Sequence, residues 1–448
     1  MLALGSALVA VFNVACGFEA LPDMPSGDAT VEENDGSPLV DATSLTDVID
    51  ARVDAPQLAN VQCGINTDGY EKNAPWPLAA RCPTRSNVGA LPTPSLATTL
   101  WKYTLPGDGY FGRVAVSADE TVFATYAQKE DGGGLSARLI SFRYDLPSGV
   151  VRVLWDIPLV GESYAAGNSP SIAANGDLYV AGEKSFTVYS RAGKLLRSFP
   201  IAGARVGSSP LILASGNAIV KGASTLYAFS AVGEVWKHAL PSGSSFVGEP
   251  LSDGLLSIYA PVVIGGLLTG KILKLSETGV EGGSITTHAR PIGTPTMRGT
   301  SLYAPLSTSL IAVSSAGNEF FRISTKALGI FTFGVSLPDS LYYFNDGPSP
   351  SIALTISTGQ VADLSEPNGT TAVIGTASDD LVYIDHDLVG DFGTFMVAKK
   401  KDGSIRWRHK ISADTSPEPQ AVAMGGTGIL YAGAHNAFYA VGQQSQLR

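Results

Sequence analysis

Short apolar runs separated by glycine, asparagine and proline recur along this chain with a period of about 40 residues. Pro170, Pro210 and Pro250 lie 40 residues apart, each at the start of a short apolar run, and Pro295 follows 45 residues later. After residue 60 there is no long run with the 3.6-residue period of an amphipathic helix. The pattern therefore predicts a repeat protein built from β-strands and tight turns.

Each repeat predicts four strands. In the repeat that opens at Pro170 they span 171–173, 177–180, 186–189 and 194–197, with glycine or asparagine turns between them. The second strand is marked by an aromatic or β-branched residue in eight copies: Phe123, Tyr179, Ile219, Tyr259, Tyr303, Tyr342, Tyr383 and Tyr431. A third strand also occurs eight times, and fourth strands follow glycine turns, as at Gly233, Gly317, Gly359 and Gly403.

The two ends of the repeat region predict how it closes. The last third strand, 437–441, is followed by only a short tail, 443–448, so its fourth strand is missing. The extra strand 99–103, before the first repeat, is similar to the fourth strand 234–238. We therefore predict an all-β fold, an eight-bladed β-propeller of four-stranded blades over residues 99–442, in which the N-terminal strand completes the last blade and leaves no open edge.

The repeat unit carries a family resemblance. Its elements are Ser-Pro, Gly-Asp-Leu-Tyr-Val, a Leu-Tyr-Ala-Phe strand and Gly-Glu-Val-Trp-Lys, as found at 169–170, 176–180, 226–229 and 233–237. This unit resembles the pyrroloquinoline-quinone-like propeller repeat, and the lead-in from Pro75 to Arg85 resembles the run that often precedes such propellers. The resemblance covers about residues 75–442. It implies the propeller fold, in a family that holds quinoprotein dehydrogenases and also non-catalytic lipoproteins that scaffold outer-membrane β-barrel assembly.

The N-terminal segment predicts export. Residues 1–15 are almost wholly apolar, too short to span a membrane comfortably, and typical of a signal sequence. Cys16 follows Val14-Ala15 as the lipidated cysteine follows a bacterial lipobox, although Asn13 departs from that motif; plain secretion and an incidental cysteine stay open. Gly17 favours the outer membrane. Residues 16–62 predict a disordered acidic tether.

Charge and cysteine content restrict the function classes. Residues 1–60 hold ten acidic residues against Arg52, so they carry −9 of the net charge of −10. The rest of the chain has no basic excess, which excludes an electrostatic nucleic-acid site. Cys63 and Cys82 lie 19 positions apart in an exported chain, and we expect a disulfide that staples a lead-in segment, 63–98.

Candidate binding residues precede the repeated prolines. Ser169, Ser209, Glu249 and Thr294 should cluster at one rim of the central channel, with Arg205 and Arg298 close by in the sequence. Such a polar ring is a candidate binding site, and the alternative is that these residues are ordinary turn and capping residues. The fourth-strand tryptophans Trp101, Trp155, Trp236 and Trp407 are expected to pack between neighbouring blades.

The sequence has few candidates for metal binding or catalysis. Asp379, Asp385 and Asp387 belong to an acidic group that would suit calcium, but their spacing matches no EF-hand loop, so solvated turn residues are the alternative. No vicinal cysteine pair of the quinone enzymes, no H-E-x-x-H and no G-x-S-x-G is present. We expect no cofactor, no metal and no catalytic site.

These observations predict a monomeric extracytoplasmic lipoprotein that acts as a non-catalytic scaffold. It would be anchored to the bacterial outer membrane, or be periplasmic or extracellular, and bind another envelope protein or a surface glycan. Two alternatives stay open: a propeller that recognises carbohydrate or peptide, and an enzyme with a loop-built site, such as a glycosidase, a lyase or a quinone-dependent dehydrogenase.

Overall fold

The computed structural model describes Cys63 and residues 67–130, 133–145, 148–159, 162, 169–201, 209–265, 269–324, 331–337, 340–345, 351–356, 360–364, 373–378, 380–387, 391–413, 421–434 and 436–447. The chain divides into two units, Met1–Val53 and Asp54–Arg448, and all described residues belong to the second. The predicted signal sequence, the tether and Cys16 lie outside the described residues. None of the described residues forms a helix long and apolar enough to cross a membrane.

The described strands form eight antiparallel sheets, numbered here in chain order. Strand β1 (Thr98–Thr104) belongs to the last of them. Sheet 1 consists of β2 (Gly109–Val116), β3 (Val122–Lys129), β4 (Leu135–Asp145) and β5 (Val150–Pro158). Sheet 2 consists of β6 (Ser171–Ile172), β7 (Leu178–Ala181), β8 (Ser185–Tyr189) and β9 (Leu195–Pro200). Sheet 3 consists of β10 (Leu211–Ile212), β11 (Ala218–Lys221), β12 (Thr225–Ser230) and β13 (Gly233–Ala239). Sheet 4 consists of β14 (Ser245–Phe246), β15 (Leu251–Ser252), β16 (Ser257–Val263), β17 (Gly270–Ser276) and β18 (Glu281–Thr286).

The remaining sheets repeat the same order. Sheet 5 consists of β19 (Thr296–Arg298), β20 (Ser301–Leu306), β21 (Ser309–Ser314) and β22 (Glu319–Ser324). Sheet 6 consists of β23 (Phe331–Leu337), β24 (Ser340–Asn345), β25 (Ser351–Thr355) and β26 (Gln360–Leu364). Sheet 7 consists of β27 (Val373–Gly375), β28 (Leu381–Asp387), β29 (Gly393–Lys399) and β30 (Ile405–Ser412). Sheet 8 consists of β31 (Ala421–Met424), β32 (Leu430–Ala434), β33 (Ala437–Gly442) and β1, and a short 3₁₀ helix, Gln444–Leu447, follows it.

Sheet 4 departs from the predicted four strands. Its first strand is divided into β14 and β15, which both pair with β16. Between them Gly248 adopts φ +59°, and Pro250 has no N–H to donate. These two residues interrupt the ladder, so the sheet has five strands.

The strand β1 completes sheet 8 as the fourth strand of its ladder. It pairs antiparallel with β33 from Thr98 opposite Gly442 to Thr104 opposite Ala437. Each sheet also shares a hydrophobic cluster with the sheet that follows it in the chain. One cluster joins sheets 7, 8 and 1 through Trp407, Phe438 and Phe142. The apolar core therefore lies between neighbouring sheets.

A β-bulge recurs between the third and fourth strands. It shifts the register in sheets 1, 2, 3, 4, 5 and 7, for example between Ala228 and Phe229 of sheet 3. Bulges of this kind increase the right-handed twist of a sheet, which turns the outer strand relative to the inner strands.

Tryptophans on the outer strands tie neighbouring sheets together. Trp155 Nε1 donates to the carbonyl oxygen of Arg191 at 3.0 Å, and Trp236 Nε1 donates to that of Glu277 at 2.8 Å. In both cases a glycine of the next sheet, Gly193 or Gly279, lies against the indole ring at φ near +80°. Any Cβ there would approach the ring to 2.7 Å or less, so these turns require glycine.

Candidate functional site

The lead-in segment, residues 63–98, of which the structure describes Cys63 and residues 67–98, runs along the first strands of the sheets. It contains a disulfide between Cys82 and Cys63, whose Cα atoms lie 5.5 Å apart. Its hydrogen bonds reach six different sheets: Val116 N to Trp76 O (2.7 Å), Ile172 N to Pro77 O (2.8 Å), Ile212 N to Tyr70 Oη (2.7 Å), Ser252 N to Pro83 O (3.1 Å), Met297 N to Thr84 O (2.9 Å) and Gly375 N to Asn87 O (2.9 Å). Because one short segment bonds to the first strands of sheets 1 to 5 and 7, it lies in the space between them.

Arg85 anchors this segment. Its side chain is 0% exposed. Nη1 donates to the carbonyl oxygen of Ala79 at 2.8 Å, Nε to that of Pro250 at 3.2 Å, and Nη2 to that of Ser209 at 3.2 Å. Nη2 also lies 3.9 Å from the Glu249 carboxylate. The guanidinium is thus surrounded by acceptors from the lead-in and from sheets 3 and 4.

The four predicted rim residues form a chain of hydrogen bonds, called here the inner polar chain (Ser169, Ser209, Glu249 and Thr294). Ser209 Oγ donates to Ser169 O at 3.2 Å, Ser209 N to Glu249 Oε2 at 3.1 Å, and Glu249 N to Thr294 Oγ1 at 2.9 Å. Ser169 Oγ continues the chain to Val114 O of sheet 1 at 3.3 Å. The repeated position before each proline therefore links one sheet to the next.

The electrostatics of this region follow from burial. Burial lowers the pKa of Arg85, and the Glu249 carboxylate opposes that shift. Glu249 has a second cation beside it, because Arg113 Nη1 lies 3.6 Å from its other oxygen. Burial also raises the pKa of Tyr70, whose hydroxyl accepts the Ile212 N–H. One buried carboxylate is thus balanced by two arginines.

The predicted cluster of polar residues is buried. The four residues of the inner polar chain do come together and all are buried. Their hydrogen bonds named above are made within the protein, and Glu249 Oε1 faces Arg113. Arg298 is partly exposed at the end of β19, and Arg205 lies outside the described residues. The repeat pattern did not identify Arg85. The signal that could have found it is Glu249, because an acid at a position where other repeats have serine or threonine indicates a cation nearby.

The acidic group of sheet 7 is arranged as ion pairs. Arg408 Nη2 lies 2.9 Å from Asp387 Oδ2 and 3.7 Å from Asp385 Oδ2, and its guanidinium packs over the Phe395 ring. Asp379 lies outside the described residues. Among the residues that the structure describes, no group of three or more histidine, cysteine or acidic side chains is placed to hold a metal ion.

Exposed apolar side chains lie on the outer strands and in the turns. Val150, Val153 and Leu154 are exposed on β5, Leu195 and Leu196 on β9, Val235 on β13, Phe320 on β22 and Ile405 on β30. Three turn residues are still more exposed: Val232 at 88%, Leu255 at 75% and Leu256 at 71%. The exterior therefore offers apolar contacts, whereas the first strands of sheets 1 to 5 and 7 are hydrogen-bonded to the lead-in.

Comparisons with known proteins bear on the fold. No family model and no curated protein matches the chain. The chain is similar in structure to BamB from Moraxella catarrhalis, with a TM-score of 0.54 and 14% identity, over 78% of this chain and 100% of that one. It is also similar to the computationally designed Ika8 protein, with a TM-score of 0.55 and 13% identity, over 75% of this chain and 98% of that one. Virginiamycin B lyase from Staphylococcus aureus is more distant, with a TM-score of 0.43 and 11% identity, over 78% of this chain and 100% of the lyase.

The class of protein follows from the sheets and these likenesses together. The chain is all-β, with antiparallel sheets of mostly four strands that pack face to face in chain order. It has the β-propeller fold. At such low identity the similarity concerns the fold alone.

Proposed function

We propose that this protein is an exported, non-catalytic β-propeller that binds another protein at the bacterial cell envelope. In this proposal the eight sheets are the blades of one closed ring, Cys16 carries the lipid anchor, and residues 16–62 tether the propeller to the outer membrane. The partner is a protein of the envelope, and the propeller itself is a monomer.

The position of Arg85 is the observation that carries this proposal. A propeller that binds a small molecule at its centre needs accessible groups on its first strands. Here the first strands of six sheets bond to the lead-in, and buried Arg85 donates to carbonyl oxygens before sheet 3 and in sheet 4. The surface left for binding is the exterior, where apolar side chains are exposed on successive outer strands.

The cysteine geometry supports the proposed compartment. Cys63 and Cys82 are bonded in the segment that fills the centre. Structural disulfides persist in oxidising compartments, of which the periplasm and the cell exterior are examples. The repeat unit also resembles that of a family whose members include non-catalytic lipoproteins of outer-membrane β-barrel assembly.

In vivo crosslinking of the full-length protein tests the proposal. A photoreactive residue is placed in turn at the exposed positions Val232, Leu255 and Phe320. At least one of them should capture one envelope protein, and the purified pair should associate with a dissociation constant in the micromolar range or below. The same residue at Ser209, which is buried, is the matched control and should capture nothing. Turnover of glycans, esters or alcohols by the purified protein would overturn the proposal. The anchor is tested separately, by mass spectrometry of Cys16 and by release of a Cys16→Ser variant from membranes.

A further inference from the structure

Four turns of sheets 3 and 4 form one surface, called here the turn face (residues 213–217, 230–234, 252–257 and 276–281). These turns join first to second and third to fourth strands, so antiparallel pairing places them at the same end of both sheets. The bond from Trp236 Nε1 to Glu277 O, 2.8 Å long, holds the outer part of sheet 3 against a turn of sheet 4. Val232, Leu255, Leu256 and Val280 are exposed on these turns.

The fold does not require apolar residues at these positions. The turn that holds Leu255 and Leu256 corresponds to Asn175-Gly176-Asp177 in sheet 2 and Ser215-Gly216-Asn217 in sheet 3, both of which are polar. A polar sequence can therefore form the same connection. Two adjacent leucines, 75% and 71% exposed, have no packing role to explain them.

The leucine turn is rigid. The Asp253 carboxylate accepts hydrogen bonds from the backbone N–H groups of Leu255 at 2.9 Å, Leu256 at 3.1 Å and Ser257 at 3.0 Å. A surface that is already ordered loses little conformational entropy when it binds. The two leucines are thus held ready for contact.

A groove continues the turn face toward sheet 2. It has a volume of about 520 Å³ and is lined by Asp68, Asn175, Tyr179, Asn217 and Val232, among others. Val232, 88% exposed, stands at its wall. The groove therefore offers a place for side chains of a segment that also contacts the exposed turns.

The charge of the turn face is negative. Its four turns contain Glu234, Asp253, Glu277 and Glu281 and no lysine or arginine. Lys237 lies 3.6 Å from Glu234 and Lys271 lies 3.5 Å from Glu281, so these two acids have cations beside them. Burial raises the pKa of Glu277, and the charge of Asp253 raises it further. A cation placed near this pair would relieve their repulsion.

We infer that the turn face is the docking site of the proposed protein partner, and that it takes a polypeptide segment in which apolar side chains are flanked by lysine or arginine. The inference rests on the proposed function and names the partner's chemistry. Apolar anchors of the partner contact Leu255, Leu256 and Val232, and its cations face Asp253 and Glu277. A second copy of this chain would bring like charges together, and an anionic lipid surface would be repelled.

Peptide binding to the purified full-length protein tests the inference. The probes are two fluorescein-labelled 12-residue peptides, one alternating leucine with lysine and the other alternating leucine with glutamate. Fluorescence anisotropy should detect the lysine peptide at least about tenfold more tightly than the glutamate peptide, and L255S/L256S should weaken its binding at least about tenfold. The matched control is L195S/L196S, which removes two exposed leucines from the outer strand β9 and should leave the affinity unchanged.

Several outcomes would overturn the inference. If both peptides bind with equal affinity, negative charge does not select the partner. If L195S/L196S weakens binding of the lysine peptide as much as L255S/L256S does, the turn face is not the docking site. Concentration-dependent dimerisation that L255S/L256S abolishes would assign the face to self-association, and flotation with phosphatidylglycerol vesicles would assign it to the membrane. If the partner captured by crosslinking still binds L255S/L256S with unchanged affinity, the inference is wrong while the proposed function stands. If no partner is captured at all, the proposed function is what fails.

Discussion

The surroundings of Arg85 explain how a charged side chain can be wholly buried in this protein. Three carbonyl oxygens accept its N–H groups and the Glu249 carboxylate lies beside it, so desolvation is offset by bonds on several sides. The repeat pattern predicted which residues precede each proline, because they recur with the sheet spacing. It could not predict their burial, since the lead-in that covers them has no period of its own.

Replacing Arg85 should show how strongly the centre depends on it. Arg85→Met leaves Glu249 buried without its nearest buried cation and leaves three carbonyl oxygens without a donor. We expect a loss of about 3–5 kcal/mol in the free energy of unfolding, measured by urea denaturation. Arg152→Met is the control, because Arg152 is largely exposed and pairs with Asp145 on the surface; its loss should stay below about 1 kcal/mol. Equal effects of the two variants would contradict the anchoring role.

The Asp119 carboxyl makes the free energy of unfolding depend on pH in the acidic range. Burial alone would raise the pKa of its carboxyl, but hydrogen bonds from Ser117 and Thr121 and the charge of Arg191 outweigh burial and hold the pKa at about 2. The folded value lies below the ordinary value of 3.8, so this stabilisation is present above pH 3.8 and is lost as pH falls toward 2. We expect Asp119→Asn to flatten that part of the curve of unfolding free energy against pH. An unchanged slope between these pH values would show that the pairing does not contribute.

At the scale of elements, strands are the best-predicted feature of this chain. All eight marker residues lie in the second strand of a sheet, because alternation and glycine turns are local properties that the sequence displays directly. The bulges between third and fourth strands and the division of the first strand of sheet 4 were not predicted. The division depends on packing as well as on Pro250, because a Cβ at Gly248 would lie 2.5 Å from the carbonyl oxygen of Gly293, which precedes sheet 5.

Alanine substitutions at Gly279 and Gly216 distinguish the cost of backbone strain from the cost of a packing clash. Both adopt φ near +80°, but a Cβ at Gly216 would meet nothing within 4 Å, whereas a Cβ at Gly279 would lie 2.5 Å from the Trp236 ring. We expect Gly216→Ala to cost about 1 kcal/mol and Gly279→Ala to cost a further 1–3 kcal/mol or so, measured from urea midpoints. If the two costs are equal, the indole does not press on this turn in solution.

The lead-in should depend on the Cys63–Cys82 disulfide for its order. It is hydrogen-bonded to six sheets, and the disulfide between Cys63 and Cys82 closes a loop that begins at its N-terminal end. In C63S/C82S we expect amide hydrogen exchange to accelerate between residues 69 and 91, with a loss of about 3 kcal/mol in stability for a loop of this length. The second strands of the sheets should keep their protection. Uniform acceleration across all strands would mean that the staple supports the whole fold and not the lead-in alone.

At the scale of the whole molecule, the pairing of β1 with β33 joins the two ends of the repeat region. The sequence predicted this pairing from the missing last strand and from the similarity of 99–103 to a fourth strand. Trp101 of β1 lies at the junction, with its ring centroid 6.2 Å from that of Phe142 in sheet 1 and 5.9 Å from that of Phe438 in sheet 8. Neither partner can be identified from the sequence around Trp101, because both contacts depend on the pairing of β1 with β33 and on the packing of sheet 8 against sheet 1.

Trp101→Ala tests whether this junction holds the ends together. The substitution removes a large buried side chain shared by sheets 1 and 8, so we expect a loss of about 3–5 kcal/mol in the free energy of unfolding. Because β1 would then release β33 more often, amide exchange should accelerate in β33, and the uncovered strand edge should promote self-association detectable by light scattering. Trp155→Ala is the control: Trp155 occupies an outer strand of sheet 1 and bonds to Arg191, so its loss should loosen the turn at 190–194 and leave β33 protected. Unchanged exchange in β33 of the Trp101 variant would mean that the backbone ladder alone holds β1 against β33.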